Sequence, residues 1–170
     1  ALARMQHVLA HTRVAGIETN LGYLAQIVRD ATFAEGRQTT RYLNAFHYRP
    51  ATIEVIEPGV QSSIQDWPGR TGYWDVGVPP SGPMDALALR LANKLAGNAE
   101  GAAALELTVA GPTLRFNCDS VIAFAGADMG AELDGVPLAN WSAHAVKAGS
   151  ILKLDAIQDT GCRTYLAVHG

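Results

Sequence analysis

Long apolar runs are missing from this 170-residue chain. Nothing approaches the roughly 20 consecutive apolar residues that a membrane span requires, and no basic-then-apolar leader opens the sequence. A membrane partner is therefore not expected. Cysteine is scarce: Cys118 and Cys162 stand alone, without metal-ligand spacing, each beside a strand-like run. Buried free thiols, rather than a disulfide, are expected, and a reducing cytoplasm fits them. The five histidines form no HxH or HExxH pattern, so no metal is assigned. A P-loop is absent too, which puts any ATP chemistry elsewhere. Charge of one sign is also short: the net charge is −3. It divides unevenly, with six Arg against three acids (+3) in residues 1–50 and seven Lys or Arg against thirteen acids (−6) in residues 51–170. No basic cluster interleaved with aromatics accompanies either part, so nucleic acid is excluded as a partner.

What is present is enough chain for one sizeable core, or one domain and an appendage, with 48% hydrophobic and 17% charged residues. Charge and texture change together at Arg49-Pro50, which predicts a domain boundary there. Before it the chain reads as helical. Leu2, Met5, Val8 and Leu9 recur at helical spacing, and so do Leu21, Leu24, Ile27 and Val28, with Thr19 or Asn20 as N-cap. Asp30 and Gly36 are where this second helix is expected to fray. Arg13-Val14-Ala15-Gly16-Ile17 reads as a short strand or turn, and Tyr42, Leu43 and Phe46 as a third short helix. Three such elements bury little surface alone and need a partner. The chain opens at Ala1 without Met and stops just after the apolar run Tyr165–Val168, so it is expected to be a piece of something longer.

Residues 51–170 read differently. Strand-like runs appear at Ile53–Ile56, Leu105–Val109, Thr113–Phe116, Val121–Phe124, Ile151–Leu154 and Thr164–Val168. Ala110-Gly111-Pro112, Leu133-Asp134-Gly135 and Ala148-Gly149-Ser150 separate them as turns. One helix interrupts, with Met84, Leu87, Leu91 and Leu95 on one face, Pro83 in its first turn, Asp85 at its positive end and Gly97-Asn98 past its last. The fold class is α+β and mainly β: a short helical N-terminal segment, then a β-rich lobe built as an antiparallel sheet or partly open barrel with one main helix.

The densest chemistry lies between Gln65 and Asp85. Gln65-Asp66-Trp67-Pro68-Gly69-Arg70 joins a carboxylate, an amide and a guanidinium across a tight turn. Arg70 suits a carboxylate or carbamate, while Gln65 and Asp66 suit the donor–acceptor edge of a urea-like group. The plainer reading is a turn in which Asp66 caps local amides and pairs with Arg70. Gly77-Val78-Pro79-Pro80-Ser81-Gly82-Pro83-Met84-Asp85 is a stiff loop feeding a helix N-terminus, whose free amides suit an anion or a developing enolate-like oxygen. Ser81 and Asp85 are read as caps for the helix and also as candidate proton relay and base. Asn93 lies between the helical apolar positions, and Gly126 permits close backbone approach after the Val121–Phe124 strand. Glu106, an acid in an otherwise apolar strand, reads as a solvated strand face.

These two motifs, ungapped and closely spaced, resemble the opening of the carboxyltransferase domain of biotin-dependent urea carboxylases. The same pattern occurs in a 5-oxoprolinase subunit and in kinase-inhibitor-associated proteins. Ala3-Arg4-Met5, Gly16–Asn20, Phe33–Gly36 and Thr40–Leu43 are similar to the C-terminal end of biotin carboxylase domains. The resemblance implies residues 1–46 as that end, 47–52 as a linker and 53–170 as the first half of a carboxyltransferase domain with a cyclophilin-like lobe. It implies carboxyl transfer to urea, giving allophanate. Asp85 and Ser81 would be catalytic, and Gln65, Asp66, Arg70, Gly77, Gly82, Asn93 and Gly126 would bind urea or biotin. Arg163 and Tyr165 match the family's closing strand. Biotin would sit on a carrier domain outside this chain, and ATP and Mg would be used at another outside site. Partners would be urea or guanidine and the carrier and biotin carboxylase domains, and the fragment alone would be inactive. Alternatives are a guanidine carboxylase, a protein of the 5-oxoprolinase type, and a non-enzymatic regulator. The biotin-carboxylase-like residues 1–46 argue against the last two.

Overall fold

Among the described residues, 1–14 and 16–170, the computed structural model holds ten short strands and four α-helices, most of them where period-two and period-3.6 segments alternate in the sequence. The chain divides into two compact units, Ala1–Ala51 and Thr52–Gly170.

The first unit holds α1 (Leu2–His11), α2 (Leu21–Ile27), α3 (Ala31–Ala34) and a 3₁₀ turn at Tyr42–Asn44. Asp30 does not mark fraying. Its carboxylate accepts the amides of Thr32 at 2.9 Å and Phe33 at 3.3 Å, so it caps the start of α3. The expected strand or turn over Arg13–Ile17 crosses Ala15, which lies outside the described residues. Among the described residues only Ile27 and Val28 are buried hydrophobics in this unit, as three short elements allow.

The second unit contains β1 (Ile53–Glu57), β2 (Gln61–Gln65), a 3₁₀ turn at Trp74–Val76, α4 (Ala86–Ala96), β3 (Ala104–Thr108) and β4 (Thr113–Phe116). It continues with β5 (Ser120–Gly126), β6 (Glu132–Leu133), β7 (Val136–Pro137), β8 (Ala143–Val146), β9 (Ile151–Lys153) and β10 (Arg163–Val168). They form two five-stranded antiparallel sheets, ordered β1-β4-β9-β6-β7 and β2-β3-β10-β5-β8, rather than a closed barrel. The six expected strands are present. The polar segment Gln61-Ser62-Ser63-Ile64-Gln65 is a strand that apolar patterning does not reveal, since β3 supplies its partner.

Two cores result. Leu107, Leu114, Phe116, Ile122, Phe124 and Leu166 meet between the sheets, whereas Ala104, Ala123, Ala125, Tyr165 and Ala167 on the opposite face meet α4. The helix lies where expected, but its buried face is Ala88, Leu89, Ala92, Asn93 and Ala96. Most of the expected face does not pack on the sheet: Met84 and Leu87 are 75% and 63% exposed, and only Leu91 of that face packs in part against the core. Small side chains let helix and sheet backbones approach, and hydrophobicity alone cannot show that preference. Asn93, fully buried, donates to the Ala102 carbonyl at 2.7 Å and accepts from Asn98 Nδ2 at 3.1 Å, tying the loop after the helix to its last turns. Cys118 and Cys162 are both free thiols, but neither is fully buried: Cys118 is half-buried, and Cys162 is exposed, since it stands just before β10 begins.

Candidate functional site

The two polar motifs stack against each other through their backbones. The Arg70 amide donates to the Pro80 carbonyl at 2.6 Å. Gly69, at φ +80°, leaves no room for a side chain: a Cβ there would stand 2.5 Å from the same carbonyl. The Trp67-Pro68 peptide is cis. The Arg90 guanidinium of α4 lies 4.5 Å over the Trp67 ring and donates from Nε to Glu100 at 3.0 Å, so the first motif is held against the helix. Lys94 and Arg90 together hold the Glu100 carboxyl below the usual carboxylate range. Asp66 and Arg70 approach to 3.7 Å with both side chains about half exposed, which is a weak surface pair. Ser81 is exposed, at φ +53°, and its hydroxyl donates to the Pro79 carbonyl at 3.4 Å; it does not cap the helix. Gly77, in the left-handed region at φ +79°, closes the separate 3₁₀ turn.

Asp85 is the N-cap of α4, accepting the Ala88 amide at 3.0 Å. Its own amide and the one before it are not free. Met84 N–H donates to Glu106 Oε2 at 2.8 Å, and Asp85 N–H donates to the Tyr165 hydroxyl at 2.7 Å. That hydroxyl in turn donates to Glu106 Oε2 at 2.6 Å. Glu106 is therefore not solvated: it is 6% exposed. Alternation along β3 explains this, because Leu105 and Leu107 face the inter-sheet core and Glu106 must face the helix. Cross-strand pairing places Ser63, Glu106, Tyr165 and Ala125 in one row beneath the start of α4. Gln65 belongs to the same face, donating from Nε2 to Ser63 Oγ at 3.1 Å. Arg163, two residues before Tyr165 on β10, brings Nε to 3.6 Å from Glu106 Oε1 and donates from a terminal nitrogen to the Cys162 carbonyl at 3.1 Å.

Burial, and next the hydrogen bond to the Glu106 carboxylate, push the Tyr165 hydroxyl far above the usual phenol range. It stays protonated and donates to Glu106 at neutral pH. A raised folded pKa means that this contribution to stability is complete below the unfolded value of about 10 and is lost as pH climbs above it. Denaturant unfolding between pH 8 and pH 11 is expected to show stability falling above pH 10, and the Tyr165→Phe variant to fall less steeply, since Tyr42 and Lys153, whose pKa values are also raised, keep their share of the slope.

Beside this network lies an open cleft of about 340 Å³, lined among others by Met84, Asp85, Gly126, Trp141, Cys162 and Arg163. Gly126 is at φ +106°, and a Cβ there would stand 2.5 Å from the Arg163 carbonyl, so any side chain would push β5 off β10. Of the residues singled out in the sequence, Asp85 and Gly126 line the cleft, and Gln65 shares the sheet face beneath it. Asp66, Arg70, Ser81 and Gly82 form the stacked turn that leads through Pro83 into Met84. Asn93 lies deeper, at the helix–loop tie, and Gly77 stands in its own turn. Trp141 and Cys162 carry no sequence signal for a site. Glu106 does, as a charge in an apolar strand. Chemically, the cleft offers a carboxylate and a guanidinium, with Met84 and Trp141 as apolar walls. A planar group that presents both N–H and C=O on one edge matches that pair.

Residues 76–170 match the family described as "Carboxyltransferase domain, subdomain A and B", and residues 1–45 match "Biotin carboxylase C-terminal domain". Urea amidolyase of Saccharomyces cerevisiae is 42% identical over 170 residues, the whole of this chain and 9% of that protein. The crystal structure of the Kluyveromyces lactis urea carboxylase superposes with a TM-score of 0.84 at 42% identity, covering 99% of this chain and 15% of that one. A 5-oxoprolinase subunit of Escherichia coli is 38% identical over 118 residues, 69% of this chain and 37% of that protein. The chain thus spans a small part of the relatives that it matches along its whole length.

Proposed function

From the premise that the chain belongs to the carboxyltransferase-domain family and is a relative of urea amidolyases and urea carboxylases, we propose that it forms one wall of a carboxyl-transfer site. The parent enzyme would carboxylate urea to allophanate. Residues 1–46 would be the C-terminal end of a biotin carboxylase domain, 47–52 a linker, and 53–170 the first half of the carboxyltransferase domain. The matches to both families in this order support that division, as does the break between Ala51 and Thr52.

The observation that carries the reading is the presence of Asp85 and Arg163 in one open cleft at the start of α4. Biotin, on a carrier domain outside this chain, supplies the activated carboxyl group, while ATP and Mg are used at another outside site. The residues of this chain bind, orient and exclude water. Arg163 holds a carboxyl group through its N–H donors, while Arg70, paired with Asp66 on the stacked turn, would meet the carboxyl group only from outside the cleft lining. Gln65 and Asp66 would orient the urea-like edge from beside the cleft, and Met84 and Trp141 give the cleft apolar walls. Asp85 uses one oxygen as helix cap. The other oxygen would take the proton that the attacking urea nitrogen loses as its bond to the carboxyl carbon forms, and the Ser81 hydroxyl would return that proton to the ureido nitrogen whose bond to the carboxyl carbon breaks. Gly77, Gly82 and Gly126 give the backbone its close approaches, and Asn93 steadies the helix from behind.

The 5-oxoprolinase relative matches 69% of this chain, but the biotin-carboxylase match at residues 1–45 favours the carboxylase. The test is turnover of the full-length enzyme. With biotin, bicarbonate and ATP present, urea is expected to stimulate ADP release at least about tenfold more than guanidine at equal concentration, a discrimination that hydrogen-bond matching readily supplies. The chain by itself is expected to show no turnover. Preference for guanidine would reassign the substrate, and no response to either would overturn the reading.

A further inference from the structure

Among the described residues, Glu106 is the only carboxylate that is buried. Period-two alternation asks only that its position face α4, where the neighbouring strands place Ala123, Ala125 and Ala167. An alanine or leucine would satisfy the packing. A buried carboxylate is costly unless well paired, so its presence at this point needs a reason beyond packing. Its contacts supply one. Oε2 accepts from the Met84 amide and from the Tyr165 hydroxyl, and Tyr165 accepts from the Asp85 amide. Oε1 faces Arg163 Nε at 3.6 Å, a nitrogen that is buried and makes no hydrogen bond. One carboxylate therefore fixes the backbone of the residue proposed as base and faces the guanidinium proposed to hold the carboxyl group.

We infer that Glu106 is a positioning residue for carboxyl transfer: with Tyr165 it fixes the Met84-Asp85 backbone, and by its charge it orients Arg163 in the cleft. The inference rests on the reading of the cleft given above. Glu106 touches no substrate in this account; it acts through Asp85 and Arg163. A purely structural clamp makes a different demand, because it needs only an acceptor. Glutamine provides an acceptor oxygen for Met84 and Tyr165, yet removes the charge facing Arg163.

The test compares Glu106→Gln, Glu106→Ala and Tyr165→Phe in the full-length enzyme. Three quantities are read: kcat and KM for urea-dependent transfer, bicarbonate-dependent ATP hydrolysis with free biotin, and amide hydrogen exchange of the peptide containing Met84 and Asp85. Glu106→Gln is expected to keep exchange protection and ATP hydrolysis while transfer kcat falls by about tenfold or more, since the guanidinium loses its fixed geometry. Glu106→Ala is expected to lose protection and about 10²-fold in transfer, the loss typical of a misplacement of about 1 Å. Tyr165→Phe, which frees the Asp85 amide and removes one donor to Glu106 but keeps the Met84 bond and the charge facing Arg163, is expected to fall between wild type and Glu106→Ala. Should Glu106→Ala fail to fold, the other two variants decide. Transfer by Glu106→Gln within twofold of an active wild type overturns this role alone. A wild type that loads biotin but transfers to neither urea nor guanidine overturns the functional reading, and this role with it.

Discussion

Trimming Phe116 to alanine is expected to lower the unfolding free energy of the β-rich unit by about 3–5 kcal/mol. Phe116 is fully buried between the two sheets, against Leu107, Leu114, Ile122 and Leu152 among others. It ends β4, which is hydrogen-bonded to β1 on one side and β9 on the other, so neither flank is free to collapse into the cavity. Its own backbone is pinned as well: its amide donates to the Ser150 carbonyl at 3.0 Å, and its carbonyl accepts from the Gly149 amide at 2.7 Å. A domain of this size is stable by roughly 5–15 kcal/mol, so the loss would be a large fraction of the whole. Denaturant titration measures it cleanly, because Trp67, Trp74 and Trp141 all belong to this unit and report on it alone. A change below about 1 kcal/mol would mean that the core relaxes around the gap, contrary to the packing described.

In the full-length enzyme, Asp85→Asn is expected to reduce urea-dependent carboxyl transfer by about 10²-fold or more, in the range general-base removal produces. Stability should hardly change. Asparagine is as good an N-cap as aspartate, so the bond to the Ala88 amide survives in kind. What disappears is a group able to take a proton. Asp85→Ala adds a cap loss of about 1 kcal/mol and therefore confounds chemistry with stability, which makes the asparagine variant the informative one. Equal transfer by Asp85→Asn and wild type would leave Asp85 as a helix cap only.

The helix start is legible from residue chemistry: Asp85 as cap and Gly97 in the left-handed region after the last turn are where the sequence puts them. The packing face of α4 is not. Met84 and Leu87 draw attention as hydrophobic, yet alanines decide which side approaches a sheet. β2 is invisible because Gln61, Ser62 and Ser63 owe their strand to β3 rather than to any intrinsic preference. Within the site, the density of Gly and Pro hints at the stacking of Gly69 on Pro80. Glu106 is visible as a charge in an apolar strand, but its burial is not. Which face a strand residue takes depends on what covers that face, and the cover here is a helix earlier in the sequence. Arg163 and Tyr165 come from the last strand, so only pairing of β10 with β3 brings them to Glu106.

A single-turnover chase shows whether Asp85 takes part in the transfer itself. The full-length enzyme is loaded with labelled carboxyl groups from bicarbonate and ATP, separated from both, and then given urea. Wild type is expected to discharge its label into a urea-derived product, whereas Asp85→Asn is expected to load at the wild-type rate and keep its label on biotin. Discharge by Asp85→Asn at the wild-type rate, or a variant that loads slowly and discharges normally, would contradict that role.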